Sequence, residues 1–204
     1  MHKALSHLTA ADPVLSKLIA TYAAPEFTKH TDYYRELASS IISQQLSVKA
    51  ARTIEQRFVD LFDGTFPTPE QILKKDIEEL RAVGLSRPKA TYIQDLVCKI
   101  LDGTVQFENI DSLSNDEIIT ELTKVKGIGV WTVHMFLMFC MARLDVLPVG
   151  DLGIKNGVKQ LYGFVELPSE QDVRYIAEKN NWHPYESVAS RYIWLSLDNT
   201  SPAT

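Results

Sequence analysis

The chain has 204 residues, 45% hydrophobic and 23% charged, the balance of a globular protein large enough to bury a core of its own. No apolar run approaches the ~20 residues that span a bilayer, and the opening Met1-His2-Lys3-Ala4-Leu5-Ser6-His7 has no signal-peptide apolar segment, so an intracellular protein is expected. The formal net charge of −5 argues against a broadly basic surface; any nucleic-acid contact must gather its positive charge on one face.

Strand-like alternation is absent and helical signals are dense. Asp12-Pro13 opens a helix carrying Val14, Leu15, Leu18 and Ile19, which ends near Ala24-Pro25. Thr31 or Asp32 caps a second through Leu37, Ile41 and Ile42. Gln44, Gln45 and Leu46 interrupt it, and Ser47 caps a third through Ala50, Ile54, Phe58 and Leu61, stopped by Asp63-Gly64. Thr68-Pro69-Glu70-Gln71 is an N-cap with Pro at the first helical position and Gln as the box partner. Leu80 to Ala90 forms an elbow around Gly84, followed by a helix with Tyr92, Ile93, Leu96, Val97 and Ile100. Ser114 and Glu117 make a capping box; Ser169 caps a helix through Val173, Ile176 and Ala177; Pro184 opens the last, through Val188, Tyr192 and Leu195. The fold class is all-α, with about ten helices joined by short connections.

Leu122 to Gly157 organises the chain. Lys126-Gly127-Ile128-Gly129 is a tight glycine turn, where φ > 0 or close backbone approach costs little. From Val130 to Met141 the residues are apolar except Thr132 and His134, which predicts a central, buried helix. Its N-terminus, pointing out of the turn, suits an anionic phosphate oxygen. Past the break at Pro148-Val149-Gly150, Asp151 stands at the start of another helix, a comfortable place for a carboxylate. Cys98 and Cys140 lie in apolar helical patterns and read as buried free thiols. Candidate phosphate-facing charges are Lys49 and Arg52, Arg87 and Lys89, Lys124 and Lys126, and Lys155 and Lys159.

Four pieces carry a resemblance: Val125 to Thr132 (VKGIGVWT), Leu147 to Lys155 (LPVGDLGIK), Ile41 to Ala51 (IISQQLSVKAA) and Ser190 to Trp194 (SRYIW). In order and spacing they resemble the helix-hairpin-helix DNA glycosylases, and within them the alkylpurine branch of the 3-methyladenine DNA glycosylase II type. The resemblance implies two helical lobes flanking a cleft: a middle bundle over 31–147 that includes the hairpin, and a second lobe from 1–30 with 148–204. It implies excision of alkylated purines such as 3-methyladenine and 7-methylguanine from duplex DNA by base flipping. Asp151 would be the catalytic carboxylate, stabilising an oxocarbenium-like sugar and orienting water. Trp131 stands where bifunctional relatives place a lysine nucleophile, so the resemblance implies hydrolysis without a lyase step.

The resemblance further places Trp131, Met135, Trp194 and Gln44 at the base pocket, with Met138 on the same helix face as Met135; core packing is the competing reading for these aromatic and methionine side chains. Gln45, with Leu46 beside it, falls at the position that enters the duplex gap. Ser47, Lys126, Gly127, Gly129 and Thr132 would meet the DNA backbone. Carbonyls of Thr123, Val125 and Ile128 could hold a monovalent cation; no other cofactor is required, and the four-cysteine iron–sulfur branch is not matched. His134 has no assigned role. The expected partner is duplex DNA carrying alkylated bases, met by a monomer away from any membrane. Two other readings stay open from the sequence: a glycosylase for neutral purine lesions such as hypoxanthine or etheno adducts, and a noncatalytic hairpin module that only binds DNA.

Overall fold

The structure, a computed structural model, describes residues 1–198. Its α-helices are α1 (His2–Ala11), α2 (Pro13–Thr21), α3 (Tyr33–Ser43), α4 (Val48–Asp60), α5 (Pro69–Leu73), α6 (Ile77–Ala82), α7 (Arg87–Leu101), α8 (Asn115–Leu122), α9 (Val130–Met135), α10 (Leu152–Tyr162), α11 (Glu170–Lys179) and α12 (Glu186–Asp198). A 3-10 turn covers Ile110–Ser112, and a π-helical stretch, Phe136–Cys140, follows α9. Among the described residues there is no strand, and no helix is long and apolar enough to cross a membrane.

The chain divides into two compact units, residues 30–136 and residues 1–29 with 137–204. The second crossing falls at Phe136–Leu137, inside the apolar stretch, rather than at Leu147. In the 30–136 unit, α7 is the central element and packs on α3, α5 and α6. It buries Ile93, Leu96 and Val97, while Leu37, Ile41, Ile42, Phe58, Ile72 and Leu80 complete that core. Helix starts are chemically marked. Asp32 accepts the Arg35 N–H, Ser47 the Ala50 N–H, and Thr68–Gln71, Asp76–Glu79 and Ser114–Glu117 form reciprocal boxes.

In the other unit, α12 packs on α1, α2 and α10, burying Val188, Ala189, Tyr192 and Ile193 with Leu8, Leu15, Ile154 and Val158. Asp12 anchors it. This carboxylate is fully buried and caps α2 through Val14 N (2.8 Å) and Leu15 N (3.2 Å). It also accepts the Tyr162 hydroxyl at 2.6 Å and the indole N–H of the buried Trp182 at 2.8 Å. Burial, together with the adjacent Asp12, pushes the Tyr162 hydroxyl well above the usual tyrosine range. One carboxylate so ties α2, α10 and the turn after α11.

Two expectations need correction. Cys140 is buried but Cys98 is exposed on the outer face of α7. The segment after the glycine turn is not one uniformly buried helix. It changes from α to π at Phe136, and Val130, Trp131 and Phe139 are exposed. Apolar composition alone does not separate a core face from one kept for a ligand.

Candidate active site and nucleic-acid interface

In the unit that contains both chain ends, the residues before Asp151 are pinned by the first turn of α12. Buried Ser187 donates from Oγ to Arg143 O (2.8 Å) and accepts from Val146 N (3.1 Å); its own N–H bonds Leu144 O (2.9 Å). Pro148 then closes a turn onto Asp151 N at 2.9 Å. Asp151 is the N-cap of α10. Its Oδ1 accepts the Ile154 N–H at 2.8 Å and the Trp194 indole N–H at 2.9 Å. Gly153 makes room for that pairing: a Cβ there would lie 2.9 Å from Trp194 Nε1 and 3.0 Å from Asp151 Oδ1. Trp194 in turn faces Phe139, ring centroids 6.1 Å apart, and the Arg191 guanidinium lies 5.4 Å over the Phe139 ring. The half-buried Asp151 is thus a carboxylate with a fixed orientation, equipped to stabilise positive charge and to direct a water molecule.

In the 30–136 unit, the turn after α8 is built by Val125 N to Leu122 O and Ile128 N to Val125 O, both 3.1 Å. Gly127 is required there. It has φ +80°, and a Cβ would fall 2.1 Å from Cδ2 of Tyr92 on α7. Gly129 has an ordinary extended backbone (φ −98°) as N-cap of α9 and no neighbour within 4 Å of a Cβ, so the expectation of a special backbone need holds for Gly127 and not for Gly129. The main-chain N–H of Lys126 is committed to Asp95 Oδ2 at 2.8 Å, and its ammonium lies 3.6 Å from Asp95 Oδ1. Val125 O accepts the Ile128 N–H, and a carbonyl oxygen carries a second lone pair. Thr123 turns its hydroxyl back to Ile119 O at 2.6 Å. Among the described residues, no three His, Cys, Asp or Glu side chains are grouped to hold a metal ion.

Trp131 is 52% exposed in the first turn of α9, which removes the core-packing reading for it. Thr132, His134 and Met135 are half-buried; Met138 is fully buried and belongs to the core. The loop between α3 and α4 is exposed at Gln45, Leu46 and Ser47, and Gln45 adopts a left-handed backbone (φ +56°). The Gln44 amide donates to Gly127 O at 2.9 Å, so this side chain ties the loop to the glycine turn. Arg87 pairs with Glu78, and the Lys89 ammonium is spent on the carbonyls of Ile42 and Gln44. Lys89, expected to face a phosphate, turns instead to main-chain carbonyls; Asp95, Tyr92 and Gly153 were not legible from the sequence, because each acts on a partner distant in sequence or through the absence of a side chain.

An all-helical chain with a glycine hairpin leading into α9, and an N-capping aspartate opening α10, defines a helix-hairpin-helix protein of the glycosylase type. Residues 38–181 match the family model described as HhH-GPD superfamily base excision DNA repair protein, and the chain belongs to that superfamily. It is 36% identical over 208 residues to DNA-3-methyladenine glycosylase 1 of Schizosaccharomyces pombe, covering 98% of this chain and 90% of the relative. The solved structure of the Schizosaccharomyces pombe 3-methyladenine DNA glycosylase in complex with abasic DNA superposes with a TM-score of 0.81 at 35% identity, covering 96% of this chain and 97% of that one. A DNA-3-methyladenine glycosidase from Bacillus halodurans superposes with a TM-score of 0.84 at 36% identity, over 95% and 88% of the two chains.

Proposed function

We propose that this protein is a monofunctional DNA glycosylase that removes alkylated purines of the 3-methyladenine and 7-methylguanine type from duplex DNA in base excision repair. The observation that carries the reading is the Asp151 carboxylate, oriented at the start of α10 by Ile154 N and Trp194 Nε1. Relatives over nearly the whole chain bear the name DNA-3-methyladenine glycosylase, which supports the same reaction class.

The hairpin around Gly127 and the first turn of α9, with Thr132, takes a phosphate through main-chain N–H groups, and Lys126 adds its exposed charge. Gln45, flanked by Leu46 and Ser47, fills the duplex where the damaged nucleotide has left it. The exposed indole of Trp131 stacks on the extruded base, with Met135 beside it; a cationic alkylated purine gains about 1–2 kcal/mol there from cation–π attraction. A base that already carries positive charge leaves with the electron pair of its glycosidic bond as a neutral molecule, so no acid is needed. Asp151 stabilises the oxocarbenium-like sugar, and the attacking water gives its oxygen to the anomeric carbon and its proton to Asp151. If the hairpin binds a monovalent cation, the carbonyls of Thr123, Val125 and Ile128 would hold it and it would rigidify the turn; no other cofactor takes part, and the protein acts as a monomer.

With Trp131 where a lyase amine would stand, the product is an intact abasic strand. Borohydride added during turnover on methylated duplex should trap no protein–DNA adduct, and breaks should appear only after alkali. Robust trapping that disappears on replacing one lysine would overturn the monofunctional assignment.

A further inference from the structure

The loop that carries Gln45 is held by more than its own turn. A helix leaves its last carbonyls without intrahelical partners, and a lysine nearby is one way to satisfy them. Here α3 ends at Ser43, and the Lys89 ammonium, arriving from the first turn of α7, takes Ile42 O at 2.8 Å and Gln44 O at 2.6 Å. Partial burial lowers the affinity of that amine for its proton. The side chain of the same Gln44 donates from Nε2 to Gly127 O at 2.9 Å. Directly after both attachments comes Gln45 at φ +56°, a backbone conformation that a non-glycine residue keeps only where its surroundings over-determine it. Leu46 N closes back to Ser43 O at 3.1 Å, and Ser47 starts α4 immediately afterwards.

We propose that Lys89 is a positioning residue: with Gln44 it clamps the 44–47 loop to the glycine turn, so that the intercalating side chain is preset before DNA arrives. A lysine on the DNA-facing unit of such a protein is ordinarily read as a phosphate contact. Its geometry assigns it instead to two main-chain carbonyls, which leaves its charge facing inward. The clamp links the element that grips the phosphate to the element that enters the stack through the single carbonyl of Gly127. Presetting the loop removes an ordering cost from the extrusion step, and so acts on the inserted state more than on encounter with DNA. This inference rests on Gln45 being the inserting residue.

The test uses the full chain and a duplex bearing 2-aminopurine next to a tetrahydrofuran abasic analogue, whose emission rises when the neighbouring stack is opened. Gln44→Met, which loses its one bond to Gly127 O, should lower the equilibrium constant for the inserted state about ten-fold, and Lys89→Met, which loses two bonds to main-chain carbonyls, by at least as much. The slope of log affinity against log salt should stay at the wild-type value. Gln44→Met, at a half-buried position, keeps the test intact if Lys89→Met folds poorly in a thermal melt. A slope reduced by about one with unchanged emission would make Lys89 a phosphate contact and overturn the proposal. Gln45→Ala separates the two levels. If it leaves the emission at the wild-type value, the loop does not insert and the underlying reading fails. If it abolishes the rise while both methionine variants keep it, the clamp alone is wrong.

Discussion

The indole N–H of Trp194 and the main-chain N–H of Ile154 meet on the same oxygen, Oδ1 of Asp151, at 2.9 and 2.8 Å. One donor comes from α12 and the other from the first turn of α10, so the carboxylate plane is fixed from two directions. A group that must face a developing charge gains from being held still, because reorganisation during the reaction is then avoided.

Trp194→Phe keeps the ring against Phe139 and removes the donor. Single-turnover excision should slow about ten-fold, the loss expected for one charge-assisted hydrogen bond, with duplex affinity unchanged. Gly153→Ala should give a similar loss, since its Cβ would intrude on both partners of the bond. Because the two changes disturb one contact, the double variant should be little slower than either single one. Rates that multiplied across the cycle would show that Gly153 and Trp194 act separately.

Asp12 offers a stability test away from the chemistry. Asp12→Ala strands the Tyr162 hydroxyl and the Trp182 indole N–H in the core and uncaps α2. The cost should be about 3 kcal/mol or more, lowering the melting temperature by roughly 6–12 °C for a chain of this size. Tyr162→Phe, which removes one donor and leaves the cap, should cost less. A melting temperature unchanged in Asp12→Ala would mean that the network contributes little.

Gly127→Ala faces two obstacles, a left-handed backbone and the Tyr92 ring 2.1 Å from the new Cβ. It should weaken binding to damaged and undamaged duplexes by the same factor, since phosphate contacts position without reading a base. Adding Tyr92→Ala should recover part of the affinity by opening space, while the backbone strain of about 1–2 kcal/mol persists. Titrations with lesion-bearing and plain duplexes check both points; a loss confined to one lesion would place Gly127 at the base instead.

The local parts of this architecture were readable because their chemistry is local. Asp32, Ser47, Thr68, Ser114, Asp151 and Ser169 all cap the helices assigned to them, each within three residues of its partner. Helix α1 was missed because its start carries no capping side chain and its buried residues are only Ala4 and Leu8. The roles of Asp12 and Lys89 depend on groups far along the chain: Tyr162 and Trp182 for one, the carbonyls of Ile42 and Gln44 for the other. No periodicity encodes such meetings. Trp131 shows a further limit, since the apolar pattern that predicted its burial is the same pattern that a stacking surface presents.

In the proposed reaction the charge of Asp151 acts on the transition state of base release. The most direct test is the single-turnover release of 3-methyladenine from methylated duplex DNA by the wild-type protein and by Asp151→Asn, with duplex affinity measured in parallel. The amide keeps the shape of the side chain and an oxygen for Ile154 and Trp194 to bond. The wild type should release the base and the variant should lose at least about a thousand-fold in rate, on the scale of removing a preorganised electrostatic group, with affinity held within a few-fold. An Asp151→Asn protein that released 3-methyladenine at close to the wild-type rate would contradict that role.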